Sequence, residues 1–126
     1  GLFCTQDCNW TNTQPDWGIA GDLSDDAFLD RDDVDGYGPE NINMESPTDG
    51  KRYRLVLHYW LADGPTNALV KLYHRGTLVQ AWGPRLMSGT GATWEVFELE
   101  WPSRNLTTLM TSTPSVSGST CRNPWP

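Results

Sequence analysis

In two stretches of this chain the side chains repeat with a period of two, which divides each stretch into two faces. This pattern constrains the fold more than any other feature of the sequence. In residues 52–61 one face holds Tyr53, Leu55, Leu57, Tyr59 and Leu61, and the other holds Arg52, Arg54, Val56, His58 and Trp60. In residues 93–101 the alternation sets Glu95, Phe97, Leu99 and Trp101 against Trp94, Val96, Glu98 and Glu100. Because successive side chains of a strand point to opposite faces of its sheet, both stretches predict half-buried β-strands.

Short turns connect further strand candidates. Residues 67–74 and 77–82 flank Arg75-Gly76, which predicts a tight β-hairpin with the glycine supplying a positive φ. The string Ala27-Phe28-Leu29 indicates one more short strand, and no sustained helical periodicity is present. We therefore predict an all-β fold, an antiparallel β-sandwich of jelly-roll or immunoglobulin-like type.

The length of 126 residues suits one core without room for a second. We expect one domain over residues 1–102, with an acidic loop at 22–41, and a C-terminal strap or linker rich in Ser, Thr and Pro over 103–126.

The apolar stretches of the chain are far shorter than the roughly 18 residues that a membrane span needs, so we expect no membrane insertion. The chain shows no charged segment followed by an apolar one, so we expect any signal peptide to lie upstream or to have been removed.

Charge is distributed unevenly along the chain. Residues 1–50 hold 12 acids and one base, whereas residues 51–126 hold 4 acids and 8 bases. The net charge of −7 and the isoelectric point near 4.5 argue against a nucleic-acid or anionic-membrane partner, which would call for a basic patch. Like charges at the density of the first half repel one another unless solvent, salt or a cation screens them.

The densest acidic segment is a candidate calcium site. Calcium takes six to eight oxygen ligands, which clustered carboxylates and backbone carbonyls supply. The segment is not an EF-hand, because placing Gly36 at loop position six puts Arg31 at position one. Gly36 and Gly38 permit a tight backbone, and a solvated acidic loop or a magnesium site are the alternatives. The candidate ligands are Asp30, Asp32, Asp33, Asp35 and Glu40.

Cysteines and sequons favour an extracellular or cell-surface location. Cys121 is predicted to pair with Cys8 or with Cys4, which would tie the tail to the N-terminal segment; unpaired thiols are the alternative. Asn9 and Asn105 each begin an N-x-Thr sequon and are candidate glycosylation sites in a secretory-pathway protein.

Three segments resemble a known group of domains. They are Asp7-Cys8-Asn9-Trp10, the run from Leu29 to Ile42 (LDRDDVDGYGPENI), and the run from Tyr53 to Trp60 (YRLVLHYW). Residues 72–79 and 94–102 match the hairpin and last strand of the same pattern. The chain thus resembles the YfaP-like β-sandwich domains of secreted bacterial proteins, which are similar in style to prepeptidase C-terminal domains, over residues 7–102.

The resemblance implies a non-catalytic, Asp-rich surface or accessory domain stabilised by Ca²⁺. By position it assigns the cation ligands to Asp30, Asp32, Asp33, Asp35 and Glu40, whereas Gly38 and Asn41 shape the loop. One departure is that the group carries an additional strand before the cysteine segment. A sandwich without its first strand has an open edge, so we expect completion by a strand of another chain and hence a subunit of an extracellular filament.

Other functions find less support in the sequence. No GxSxG, HExxH, Walker A or GxGxxG motif is present, so we expect no enzyme activity. Trp60, Trp82 and Trp94 are candidate ligand or interface aromatics, and packing in the core is the alternative.

The predicted function is a calcium-binding module for structure, adhesion or assembly, with other protein chains rather than a glycan as partners. A carbohydrate-binding module and an accessory domain of a secreted hydrolase are the alternatives.

Overall fold

The structure is a computed structural model, and it describes residues 8, 12–31, 40–59, 64–109 and 112–113. Within these residues the chain forms eight strands and one short 3₁₀ helix, Leu23–Asp25. The strands are β1 (Phe28–Arg31), β2 (Asn41–Asn43), β3 (Arg52–His58), β4 (Thr66–His74), β5 (Thr77–Met87), β6 (Thr93–Glu100), β7 (Leu106–Thr108) and β8 (Ser112–Thr113). The predicted all-β, antiparallel fold is confirmed.

The chain divides into two compact units, which are described separately. The first unit contains the described residues up to Arg52 together with Glu100–Arg104. In it β1 and β2 form an antiparallel two-stranded sheet, and the Leu29 amide donates a hydrogen bond to the Thr13 carbonyl. Ala27 and Leu29 are buried. The predicted strand at 27–29 is therefore present, shifted by one residue at its start.

The second unit contains Tyr53–Leu99 and the described residues from Asn105 onward. One of its sheets has β6 between β3 and β7, with β8 pairing β6 as well. The segment predicted to be a strap or linker thus supplies two short strands to this sheet. The other sheet is the β4–β5 hairpin, whose turn residues Arg75 and Gly76 have φ of 50° and 79°. A turn with two positive φ values matches the twist of the flanking strands, so the predicted hairpin is confirmed.

The two sheets of the second unit pack face to face around one apolar core. Val70, Trp82 and Met87 come from the hairpin, and they contact the buried residues Ala92, Trp94, Val96 and Phe97. The Trp82 and Phe97 rings stack, with centroids 4.7 Å apart and an interplanar angle of 22°. Leu55, Leu57 and Tyr59 pack against the same core, so the face that the sequence assigned to these three residues is the one that turns inward. This arrangement of two antiparallel sheets on one core is consistent with the predicted sandwich, although the sheets are not closed.

The strand β6 departs from the alternation that the sequence predicts. Trp94 and Phe97 are three residues apart, yet both contact β5, through Arg85 and Trp82 respectively. Glu95 and Glu98 are also three apart, and both lie within 4 Å of the Arg54 guanidinium, at 3.5 and 3.9 Å. The pairing register shifts by one residue in between: Trp94 and Phe97 are three residues apart, whereas their partners Ser112 and Thr108 are four apart, so the extra residue belongs to the partner segment and not to β6. The burial of both Trp94 and Phe97 thus departs from strict alternation, and the register shift does not account for it, because a bulge re-aims the side chains of the strand that holds the extra residue.

No helix among the described residues is long and apolar enough to cross a membrane.

Removing the Phe97 ring should destabilise the second unit more than removing an exposed side chain of the same sheet pair. Phe97→Ala leaves a cavity against Trp82, and we expect it to lower the free energy of unfolding by about 3–5 kcal/mol. Val79→Ala on β5, where the side chain is 53% exposed, should change it by no more than about 0.5 kcal/mol. Urea unfolding monitored by tryptophan fluorescence measures both. Equal effects of the two substitutions would contradict the described core.

Candidate functional site

The acidic run predicted to bind calcium lies between β1 and β2, which bring its two ends together. Leu29 pairs with Ile42 and Arg31 pairs with Asn41, so Asp30 is an extra residue in β1, a β-bulge. The Asn41 amide Nδ2 donates to Asp30 Oδ2 at 3.5 Å, a long hydrogen bond between exposed groups. Bulges locally re-aim side chains and are frequent beside functional sites. Asp30 therefore lies at an irregular backbone position at the start of the loop.

The structure describes Asp30 and Glu40 but not the other three predicted ligands. Asp30 and Glu40 are both exposed and stand at the two ends of the loop. Asp32, Asp33 and Asp35 lie outside the described residues, so their assignment stays a prediction. Among the residues that are described, no three His, Cys, Asp or Glu side chains converge as a metal site would require.

Two further carboxylates of the acidic segment are buried, and the sequence did not single them out as site residues. Asp25 is 5% exposed and Asp26 is 3% exposed. Backbone amides of the preceding turn bind both: Trp17 N–H donates to Asp26 Oδ1 at 2.6 Å, and Ile19 N–H donates to Asp25 Oδ2 at 2.7 Å. Buried carboxylates are tolerated where they accept such hydrogen bonds. The signal in the sequence was their position directly before the apolar string at 27–29.

Gly18 allows the turn to approach Asp25 closely. It has a φ of +62°, and a Cβ at this position would collide with Asp25 Oδ2 and Thr48 Oγ1. Asp25 Oδ1 is also buried and accepts no hydrogen bond. The two oxygens of one carboxylate thus have different surroundings, one bound by the turn and the other enclosed without a donor.

Asp22 and Asp16 hold the same turn together from its outer side. Asp22 precedes the 3₁₀ helix and accepts hydrogen bonds from the Ser24 hydroxyl at 2.7 Å and the Ser24 amide at 3.0 Å. These two donors lower the pKa of the Asp22 carboxyl, first through the hydroxyl and then through the amide. Asp16 Oδ1 accepts the Gly21 amide at 3.1 Å. We call residues 16–26 the acidic turn; it owes its conformation to carboxylates that bind backbone N–H groups.

The tryptophans considered for ligand binding lie in the core where they are described. Trp82 and Trp94 are both buried, and Trp82 Nε1 donates to the Thr108 hydroxyl at 3.0 Å. Arg85 covers the Trp94 ring, with its Cζ 5.5 Å from the ring centroid. These two rings are therefore not open to stack on a sugar, and their position agrees with the packing alternative. Trp60 lies outside the described residues.

The predicted disulfides with Cys8 are not formed in this structure. Cys8 is a free, half-buried thiol whose Sγ lies 3.6 Å from the Thr13 carbonyl oxygen. Burial raises the pKa of the Cys8 thiol, so it favours the protonated form. Cys4 and Cys121 lie outside the described residues, and a Cys4–Cys121 pair stays a prediction. Of the two sequon asparagines, Asn105 is exposed just before β7, and Asn9 lies outside the described residues.

No family model, no curated protein and no solved structure matches this chain.

Loss of the Asp26 carboxylate should destabilise the first unit. Asp26→Ala removes the buried acceptor of the Trp17 amide, and we expect a loss of about 1.5–3 kcal/mol in the free energy of unfolding. Asp16→Ala is the matched control, because it removes an acceptor of a backbone amide at an exposed position and should cost less than about 1 kcal/mol. Thermal unfolding followed by circular dichroism compares the two. A control that costs as much as Asp26→Ala would contradict the role of burial.

The free Cys8 thiol predicts a specific labelling pattern. Alkylation of the native protein near pH 8 should modify Cys8 slowly, and faster as the pH rises, because the raised pKa keeps the reactive thiolate scarce. Peptide mapping by mass spectrometry without reduction should then find Cys8 alkylated. A Cys8 peptide recovered in a disulfide with Cys4 or Cys121 would overturn this assignment.

Proposed function

We propose that this chain is a non-catalytic, extracellular module that binds Ca²⁺ through the loop between β1 and β2 and serves in structure, adhesion or assembly. The observation that carries the proposal is the antiparallel pairing of β1 with β2, which brings the two ends of the acidic run together. That run holds Asp32, Asp33 and Asp35 within its eleven residues from Asp30 to Glu40.

The donor groups of this segment suit a hard cation. Calcium binds carboxylate and carbonyl oxygens in a flexible shell, and a loop between two paired strands can supply several of them. Asp30 and Glu40 contribute exposed carboxylates at the loop's ends, and Asn41 contributes an amide oxygen in the same place. Within the part of the chain that the structure describes, Asp30 Oδ2 accepts the long Asn41 hydrogen bond, which a cation can replace. The bound ion would neutralise charge that the loop itself concentrates.

The hydrogen bonds of the carboxylates favour this loop over the acidic turn as the calcium site. In the turn, backbone amides already bind Asp25, Asp26 and Asp16, so these carboxylates are stabilised without a metal. For Asp30, the hydrogen bond at 3.5 Å is weak by comparison. A cation therefore displaces a weaker hydrogen bond in the loop between β1 and β2 than it would in the acidic turn.

A role in assembly agrees with the open sheets of the described residues. The sheets β1–β2 and β4–β5 each have two strands there, so both present edges to which another strand can be added. A carbohydrate-binding role finds less support, since Trp82 and Trp94 are buried.

Calcium should stabilise the parent chain and leave a loop variant unaffected. At 100 times its dissociation constant, a ligand that binds only the folded state adds about 2.7 kcal/mol, which shifts the melting midpoint upward. Asp32→Asn combined with Asp35→Asn should abolish this shift, while the midpoint in chelator stays that of the parent. Differential scanning calorimetry with excess calcium and then with chelator measures both.

The matched control removes the same charge elsewhere in the first unit. Glu45→Gln with Asp49→Asn changes two exposed acids outside the loop, so it should respond to calcium as the parent does. A parent without a calcium-dependent midpoint would refute calcium binding. A loop variant that responds like the parent would refute the assignment to the loop.

A further inference from the structure

The outer face of the β4–β5 hairpin is apolar although it is exposed. Register places Asn67 opposite Leu86, Lys71 opposite Ala81 and Tyr73 opposite Leu78, on the face opposite to the core residues Val70 and Trp82. Leu69 and Tyr73 are each 54% exposed, and Leu86 is 61% exposed. Several large apolar side chains thus share one sheet face, and such a face commonly marks an interaction surface.

The hairpin also carries basic side chains and no acidic one. Residues 66–87 contain no acidic residue; Lys71 lies on the outer face and Arg75 in the turn, whereas Arg85 lies on the core face over Trp94. Lys71 is exposed between Leu69 and Tyr73, and Arg75 is exposed in the turn. A partner for this face therefore combines apolar side chains with carboxylates.

The acidic turn of the first unit has those complementary properties. Ile19 and Leu23 are each 67% exposed. Of the four aspartates in residues 16–26, Asp25 and Asp26 are buried, so Asp16 and Asp22 are the carboxylates that a partner can reach, and the turn contains no base. The Asp22 amide donates to the Ile19 carbonyl at 3.0 Å, so the two apolar side chains are presented on a closed turn rather than on a loose segment.

We propose that the outer face of the β4–β5 hairpin of one copy docks on the acidic turn of a second copy of this chain. The inference rests on the assembly role proposed above and names its partner. Charge complementarity points to a second copy, because one chain carries both the basic apolar face and the acidic apolar turn, and both are exposed within it. Contact between two different surfaces leaves one of each open at the ends, so this interface grows into rings or filaments.

Two single substitutions separate the two halves of the interface. Lys71→Glu reverses the charge of the hairpin face, and Ile19→Asp places a carboxylate in the apolar part of the acidic turn. Both positions are exposed, so the melting midpoints should stay close to that of the parent. Arg52→Glu is the control, because it makes the same charge reversal as Lys71→Glu at an exposed position in β3, outside the hairpin.

Sedimentation velocity at increasing protein concentration tests the proposal. The parent and Arg52→Glu should form oligomers in low salt, and less so when salt rises from about 0.01 M to 1 M, over which the screening length falls from about 30 Å to 3 Å. Lys71→Glu alone and Ile19→Asp alone should each stay monomeric. Their mixture should form a dimer that grows no further, since each variant retains one intact surface.

Three results would overturn the proposal. They are a parent that stays monomeric at the highest concentration in low salt, variants that associate as the parent does, and a mixture of the two variants that gives no dimer. Calcium binding is measured separately by calorimetry on the same samples. A monomeric parent that binds calcium therefore refutes this interface and leaves the calcium site standing, whereas an assembling parent that ignores calcium refutes the calcium site alone.

Discussion

The stacking of Trp82 on Phe97 is the contact on which the arrangement of the second unit depends. It joins the β4–β5 hairpin to β6, the strand that lies between β3 and β7. Burying two aromatic rings against each other fixes which face of the hairpin turns inward. Because side chains alternate along β4, the same contact sets Leu69, Lys71 and Tyr73 on the outer face. The core therefore determines both the stability of this unit and the surface that it offers to a partner.

Within its described residues, the first unit is organised by hydrogen bonds from backbone amides to carboxylates. The amides of Trp17 and Ile19 bind two buried aspartates, and this holds the acidic turn in place before β1 begins. The acidic residues in this half of the chain thus have different roles. Some carboxylates shape the turn, and those between β1 and β2 are the ones that we propose for calcium.

Local patterns predicted the strands well, because alternation and turn chemistry act over a few residues. The hairpin at Arg75-Gly76 was predicted from a glycine between two strand candidates, and β3 from its period of two. The burial of both Trp94 and Phe97 in β6 was not predictable in this way, since two positions three residues apart lie on opposite faces under strict alternation. The burial of Asp25 and Asp26 was missed for a similar reason. It results from a turn folding back over them, and an acidic run in the sequence does not distinguish buried carboxylates from solvated ones. The candidate site was located from Asp residues and glycines alone, and the pairing of β1 with β2 adds that its ends adjoin.

The most direct test of the calcium assignment follows individual amides as the ion is added. A titration of calcium into ¹⁵N-labelled protein, recorded by two-dimensional NMR, reports every backbone position at once. The account predicts shifts in the amides of residues 28–43, which include β1, β2 and the loop between them, and unchanged amides in β4 and β5. Unchanged spectra at saturating calcium, or shifts centred on the acidic turn at residues 16–26, would contradict it.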